Sequence, residues 1–175
     1  MIWITRILTF LLGFATVWGV VFLVVTTYGW EKVWNSIQGP ADLGPVEFQN
    51  LSKVGTANQV LICPDAICND DDLDRSSPIY DVDANTLRTA FLRMLEQEPG
   101  LQRVDDDSDP MQLRYVQRSR LFRLPDTIRI QFFTWGAGDQ STLALHGQSQ
   151  IDIRALDGHP ARIDRWLSRL KELEK

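Results

Sequence analysis

Nucleophilic and metal-binding side chains are scarce in this sequence. Two cysteines, Cys63 and Cys68, and two histidines, His146 and His159, are all that its 175 residues contain. The histidines lie far along the chain from the cysteines, so no metal site of these ligand types is expected. Gly-x-Ser-x-Gly, His-Glu-x-x-His and phosphate-cradling glycine loops are also lacking. His146 stands near Ser141 and Ser149 in sequence, but nothing there orients it as a base. The sequence thus reads as non-enzymatic, with no cofactor and no metal. A basic excess is missing too: the pI of about 5.0 is far from the footprint that nucleic acid requires.

The longest absence is of charge. Residues 7–30, Ile7 to Trp30, carry none, and as a helix they would reach roughly 36 Å, enough for a hydrocarbon core. A signal peptide is the competing reading, but its apolar region is shorter and ends in a small-x-small site. This run ends in Thr26-Thr27-Tyr28-Gly29-Trp30. Trp3 before it, and Tyr28, Trp30 and Trp34 after it, resemble the aromatic belts of the membrane interface. An uncleaved single-pass anchor over 1–34 is the expectation. Arg6 and the free amine favour a cytoplasmic N-terminus with the domain outside. Thr9/Gly13 and Ala15/Gly19 are small-xxx-small pairs that allow a second helix close approach.

Two cysteines five apart, in Cys63-Pro64-Asp65-Ala66-Ile67-Cys68, do not match the Cys-x-x-Cys of redox proteins. In an oxidising compartment they would close a structural disulfide; in the cytoplasm they would be free thiols. Asp70, Asp72 and Asp74 alternate as calcium-loop ligands do. Arg75 and Asp81, however, stand where such a loop needs Gly and Glu. The Asp105-Asp106-Asp107-Ser108-Asp109 run departs in the same way, and both read as solvated acidic turns.

Residues 35–59 hold Gly39-Pro40, Gly44-Pro45 and Gly55 without periodicity, an extended linker. A soluble domain over 60–175 follows. Short strands are expected at Val60–Ile62, Ile79–Val82 and Leu101–Val104. Alternation marks further strands from Met111, through Ile128, Ile130 and Phe132, and through Leu143 and Leu145, with a hairpin at Gly136-Ala137-Gly138-Asp139. Asp83 is placed to cap a helix whose stripe is Leu87, Ala90, Phe91, Met94 and Leu95. His159-Pro160 opens a last helix with Ile163, Trp166, Leu167, Leu170 and Leu173 on one side. The fold class is α+β: an antiparallel sheet with two amphipathic helices over one face.

Charge is uneven across this domain. Residues 31–110 hold 16 Asp/Glu against 6 Lys/Arg, a balance of −10; residues 111–175 hold 11 Lys/Arg against 7 Asp/Glu, a balance of +4. Arg114, Arg118, Arg120, Arg123 and Arg129 face only Asp126 within their own stretch. As strand neighbours, Arg118 and Arg120 would share a face, with Gln148 and Gln150 nearby. Such a surface suits a carboxylate, a phosphate or a lipid headgroup. In the alternative, the arginines pair with Asp81, Asp83 or the acidic turns and stabilise the fold.

Several stretches resemble domain-of-unknown-function family 1499, found in proteobacteria and plastids behind membrane or export segments. They are Ser77–Val82, Tyr115–Asp126, Ser141–Leu145 and Arg162–Leu167, with the Pro40–Pro45 segment and both cysteines. The resemblance implies a shared fold and a domain on the translocated side, and it brings no activity. His146-Gly147-Gln148-Ser149-Gln150 and Gly158-His159-Pro160 depart from its usual Ser-Arg-Ser and Gly-Val-Asn.

Two functions remain. The first is an accessory or assembly subunit whose helix joins other integral membrane proteins, with its domain docking on a partner. The second is a tethered binder of an anionic small molecule or lipid headgroup. The candidate binding residues are Arg118, Ser119, Arg120, Phe122, Arg123, Asp126, Gln148 and Gln150. The expected place is the inner membrane of a bacterium, with the domain in the periplasm. Trp3, Arg6, Gly13, Gly19, Trp30 and Trp34 would anchor and pack the membrane segment.

Overall fold

A computed structural model of the chain describes residues 2–52, 59–68, 73–119, 123–150 and 159–171. Met1–Pro40 and Ala41–Lys175 form separate units. The first is helix α1, Ile2–Gln38, interrupted at Gly29, whose φ of 76° and ψ of 150° leave the helical region. This helix is long and apolar enough to cross a membrane. Its threonine hydroxyls are satisfied within the helix: Thr16, Thr26 and Thr27 donate to the carbonyls of Leu12, Phe22 and Leu23, at 2.8, 2.8 and 2.6 Å. Such back-bonding lets polar side chains sit in an apolar run. The space beside Gly13 and Gly19 is open.

The second unit is α+β, and its sheet is mixed. Strands β1 (Gln59–Cys63), β2 (Arg75–Ser76), β3 (Leu101–Arg103), β4 (Gln112–Arg118), β5 (Pro125–Trp135) and β6 (Gln140–Ser149) lie in the order β2-β1-β6-β5-β4-β3. All neighbours are antiparallel except β1 and β2, which run parallel. The parallel edge departs from the expected purely antiparallel sheet. Asp74 makes it: its amide donates to the Leu61 carbonyl at 2.9 Å and its carboxylate accepts from the Leu61 amide at 2.7 Å. Ile79–Val82, expected as a strand, contributes only a bridge, with Tyr80 and Ser141 exchanging backbone hydrogen bonds of 2.8 and 3.0 Å. Gly136 and Gly138, at φ of 59° and 106°, shape the tight connection from β5 to β6.

Alternation along the strands sorts side chains onto two faces. Ile62, Leu113, Ile128, Ile130, Phe132, Leu143 and Leu145 form one core with helices α2 (Ala84–Leu95) and α3 (His159–Leu170). Leu87 and Phe91 of α2 and Trp166 of α3 have no exposed surface. Phe91 meets Phe132 and Trp166 edge to face, with centroids 5.7 and 6.0 Å apart. Leu173, assigned to the same stripe, lies outside the described residues, as do Asp70 and Asp72.

The opposite face is covered as well, by the segment expected to be a linker. α1 runs to Gln38, and from Ala41 the chain crosses the sheet. Phe48, Leu61, Cys63, Cys68 and Ala144 form a second core there, with Val46, Leu51 and Phe133 against it. Apolar side chains at Val46, Phe48 and Leu51 give this stretch a reason to pack despite its Gly-Pro content. Cys63 and Cys68 are joined as a disulfide, their Cα atoms 6.0 Å apart.

Phe48 is 3 % exposed, so Phe48→Ala is expected to cost about 3 kcal/mol. Urea denaturation of the full chain in detergent reads this loss; a true linker residue would show almost none. Asp83 caps α2, accepting from the Asn85 and Thr86 amides at 2.9 and 3.1 Å. The Thr86 hydroxyl, then its amide, hold the Asp83 carboxyl below the ordinary aspartate range. A lowered native pKa contributes stability that is complete above about pH 4 and fades as pH falls through the native value. Asp83→Ala should therefore lower the melting midpoint at neutral pH, with the difference from the parent shrinking in acid.

Candidate functional site

The polar centre of the domain lies on the face covered by Ala41–Phe48. Register fixes its members: Arg114 stands opposite Arg129, and Arg129 opposite His146. Thr127, two residues before Arg129 and on the same face, donates its hydroxyl to the Ala41 carbonyl at 2.9 Å and accepts from the Leu43 amide at 3.2 Å. Arg129 Nε donates to the Gly44 carbonyl at 2.7 Å. Arg114 Nε reaches both oxygens of Asp42, at 2.8 and 3.0 Å. Gly44 adopts φ of 82°, a left-handed turn suited to glycine, and its amide is held by Asp42 at 2.9 Å. The covering segment is thus tied by side chains to two positions of β5 and one of β4, without strand pairing of its own among the described residues.

Arg129 is the most deeply placed charge among these groups, at 4 % exposure. Its Nη1 lies 3.1 Å from His146 Nδ1 and donates to Gln148 Oε1 at 3.1 Å. A guanidinium can only donate, so His146 Nδ1 accepts. The remaining His146 nitrogen, Nε2, then donates to Gln59 Oε1 at 3.0 Å. Burial lowers the Arg129 pKa to about 10; the charge of Asp42 opposes this and that of Arg114 adds to it. The guanidinium stays protonated at neutral pH. His146 therefore orients an arginine, while the two serines near it in sequence have other partners: Ser141 donates to the Val82 carbonyl at 2.6 Å and Ser149 to Asp126 at 2.5 Å.

Of the expected arginine and glutamine surface, the described residues do not bring Arg118 together with Gln148. β5 lies between β4 and β6, so Arg118 and Gln148 are two strands apart. Arg118 is buried and donates to the Arg123 carbonyl at 3.5 Å. Ser119 closes the turn after β4, its hydroxyl accepting from the Leu124 amide at 3.0 Å. Arg123 occupies φ of 55° in that turn. Asp126 belongs to the helix-covered face, since it pairs with Gln117 while Arg118 pairs with Pro125. There it meets Ser149 and, at 3.5 Å, Arg162 of α3. Gln148 serves Arg129, and the Gln150 amide donates to the Pro125 carbonyl at 3.4 Å. Arg120 and Phe122 lie outside the described residues.

Nor do Asp81 and Asp83 serve the arginines of this cluster: Asp81 accepts from Gln140 at 2.7 Å, and Asp83 caps α2. The acidic turn contributes in part. Asp105 binds Arg103 through two hydrogen bonds, of 2.9 and 2.7 Å, and accepts from the Arg114 amide at 3.0 Å. Burial raises the Asp105 pKa, but the Arg103 and Arg114 hydrogen bonds outweigh it, and the net shift is downward. Asp107 also pairs with Arg103. Asp42 and Gln59 were missed as site residues. Their roles come from long-range packing, and neither carries a local signal beyond its polarity.

A small cleft of about 130 Å³ opens between this turn and the covering segment. Pro45, Val46 and Phe48 line one side, Asp105–Asp109 the other, and Gln112, Arg114 and Arg129 the floor. Among the described residues, no group of three or more His, Cys, Asp or Glu is placed to hold a metal. Comparison with protein-family models gives no match for the chain, and comparison with curated proteins gives none either.

Replacing Arg129 with Met would leave the Gly44 carbonyl, His146 and Gln148 short of a donor on a covered face. The expected loss is on the order of 3 kcal/mol. Denaturation of the full chain in detergent measures it, and Arg123→Met, in the exposed turn, should change stability far less.

Proposed function

We propose that this chain is a non-enzymatic, membrane-anchored accessory or assembly subunit that docks on a larger membrane protein complex. One observation carries the reading. α1 is apolar and exposed along its length, with Phe10 and Leu12 more than two-thirds exposed, while the domain closes its own polar face with residues 41–48. An apolar helix without packing partners in its own unit fits a bilayer and neighbouring membrane helices. Gly13 and Gly19, with open space beside them, offer the close-approach positions.

The placement proposed is a bacterial inner membrane, with the N-terminus in the cytoplasm and the domain in the periplasm. A buried Cys63–Cys68 disulfide supports an oxidising compartment, and Arg6 supports an N-terminus inside. Kinship with domain-of-unknown-function family 1499 belongs to the same proposal; its Tyr115–Asp126 likeness flanks the turn between β4 and β5. Ligand binding on the expected surface around Arg118 fits less well, because Arg118 is buried and donates to the Arg123 carbonyl.

Mild-detergent purification of the tagged full chain, with mass spectrometry of what co-purifies, tests the accessory reading. A stoichiometric set of membrane subunits, lost on Gly13→Ile with Gly19→Ile, is the expected outcome. A protein that migrates alone under these conditions would sink it.

A further inference from the structure

The cleft beside the acidic turn has a charge arrangement that internal hydrogen bonds leave incomplete. Arg129, buried to more than nine-tenths, uses Nε and Nη1 on Gly44, His146 and Gln148. Among the described residues no hydrogen bond reaches its Nη2, and Arg129 is one of the residues lining the cleft. Arg114 lies beside it. The two guanidiniums share one carboxylate, Asp42, which contacts Arg114 directly and acts on Arg129 through space. The floor therefore carries one positive charge in excess, in a place where charge is poorly solvated.

The rim has the opposite sign. Asp105 and Asp107 share the single cation of Arg103. Asp106 and Asp109 accept from the backbone amides of Ser108 and Met111, at 3.2 and 2.8 Å, and among the described residues neither has an ion pair, the charge of Arg114 acting on Asp106 only through space. A simple anion would suit the floor and be repelled at the rim; a simple cation would suit the rim and be repelled at the floor. The volume of about 130 Å³ corresponds to roughly four waters of liquid. It lies below the ~300 Å³ at which pockets for drug-sized ligands begin. A nucleotide or an acyl chain is too large for it.

We propose that this cleft binds a compact zwitterion, its phosphate or carboxylate on Arg129 Nη2 and Arg114 and its ammonium against Asp106 and Asp109. Amino acids and phosphoethanolamine have this chemistry, and so does the headgroup of phosphatidylethanolamine. Such a site is independent of whether the chain belongs to a larger complex.

Calorimetric titration of the full chain in detergent with O-phosphoethanolamine, inorganic phosphate and ethanolamine tests the site. Phosphoethanolamine should bind saturably, and each half-molecule at least about tenfold more weakly, the equivalent of one well-formed charged contact. Asp106→Asn with Asp109→Asn keeps the turn's acceptors and should weaken phosphoethanolamine about two- to fivefold while leaving phosphate no weaker. Arg114→Lys should weaken both by about tenfold; should it fail to fold, the rim variant still decides. Bicelles doped with phosphatidylethanolamine, compared with phosphatidylcholine alone, identify the source. A melting shift specific to phosphatidylethanolamine and removed by the rim variant assigns a lipid headgroup. Binding of the free compound without that shift assigns a soluble ligand. No binding in either arm, equal binding of all three probes, or binding indifferent to the variants would overturn the proposal.

Discussion

A guanidinium buried on a covered sheet face has to find acceptors for its protons, and Nε and Nη1 of Arg129 find them in two separate parts of the chain. The Gly44 carbonyl comes from the covering segment, His146 and Gln148 from β6, and His146 is set in turn by Gln59 of β1. Nearby, Arg114 fastens the same segment through Asp42. Because an unmet donor or acceptor in such a place costs about as much as several net hydrogen bonds, these contacts stand or fall together. They decide where residues 41–48 lie, and through them the second core around Phe48.

That arrangement gives the sheet two unlike faces. Toward α2 and α3 the packing is aromatic and aliphatic, and area burial governs it. On the other face, polar side chains locate the covering segment and apolar ones, with the Cys63–Cys68 disulfide, fill in around it. The cleft at the acidic turn lies where this cover meets Asp105–Asp109, so its floor of arginines follows from the same constraint. The helical unit Met1–Pro40 shares none of this chemistry: Thr16, Thr26 and Thr27 donate to carbonyls of their own helix.

Much of the architecture was legible in period and punctuation. The stripes of α2 and α3, the cap at Asp83, the alternation in β4 to β6 and the glycines between β5 and β6 all depend on neighbours within a turn or a hairpin. The candidate site was legible only in its inventory. Arg114, Arg118 and Arg129 stood out as a cluster, yet strand order separated Arg118 from Gln148, and Asp126 went to the helix-covered face. Gly-Pro pairs in residues 39–45 suggested a linker because local sequence does not show that Thr127 and Arg129 supply the missing hydrogen bonds.

By itself, the sequence determined a long uncharged apolar helix, a downstream α+β domain, its amphipathic helices and most of its strands. Each follows from side-chain periodicity that is complete within a short window. Only the tertiary structure decided the parallel β1–β2 edge, the strand order, the packing of residues 41–51 and the partners of the arginines. Those depend on contacts between positions as distant as Asp42 and Arg114, or Gln59 and His146, and pairing at that range is set by the sheet's register.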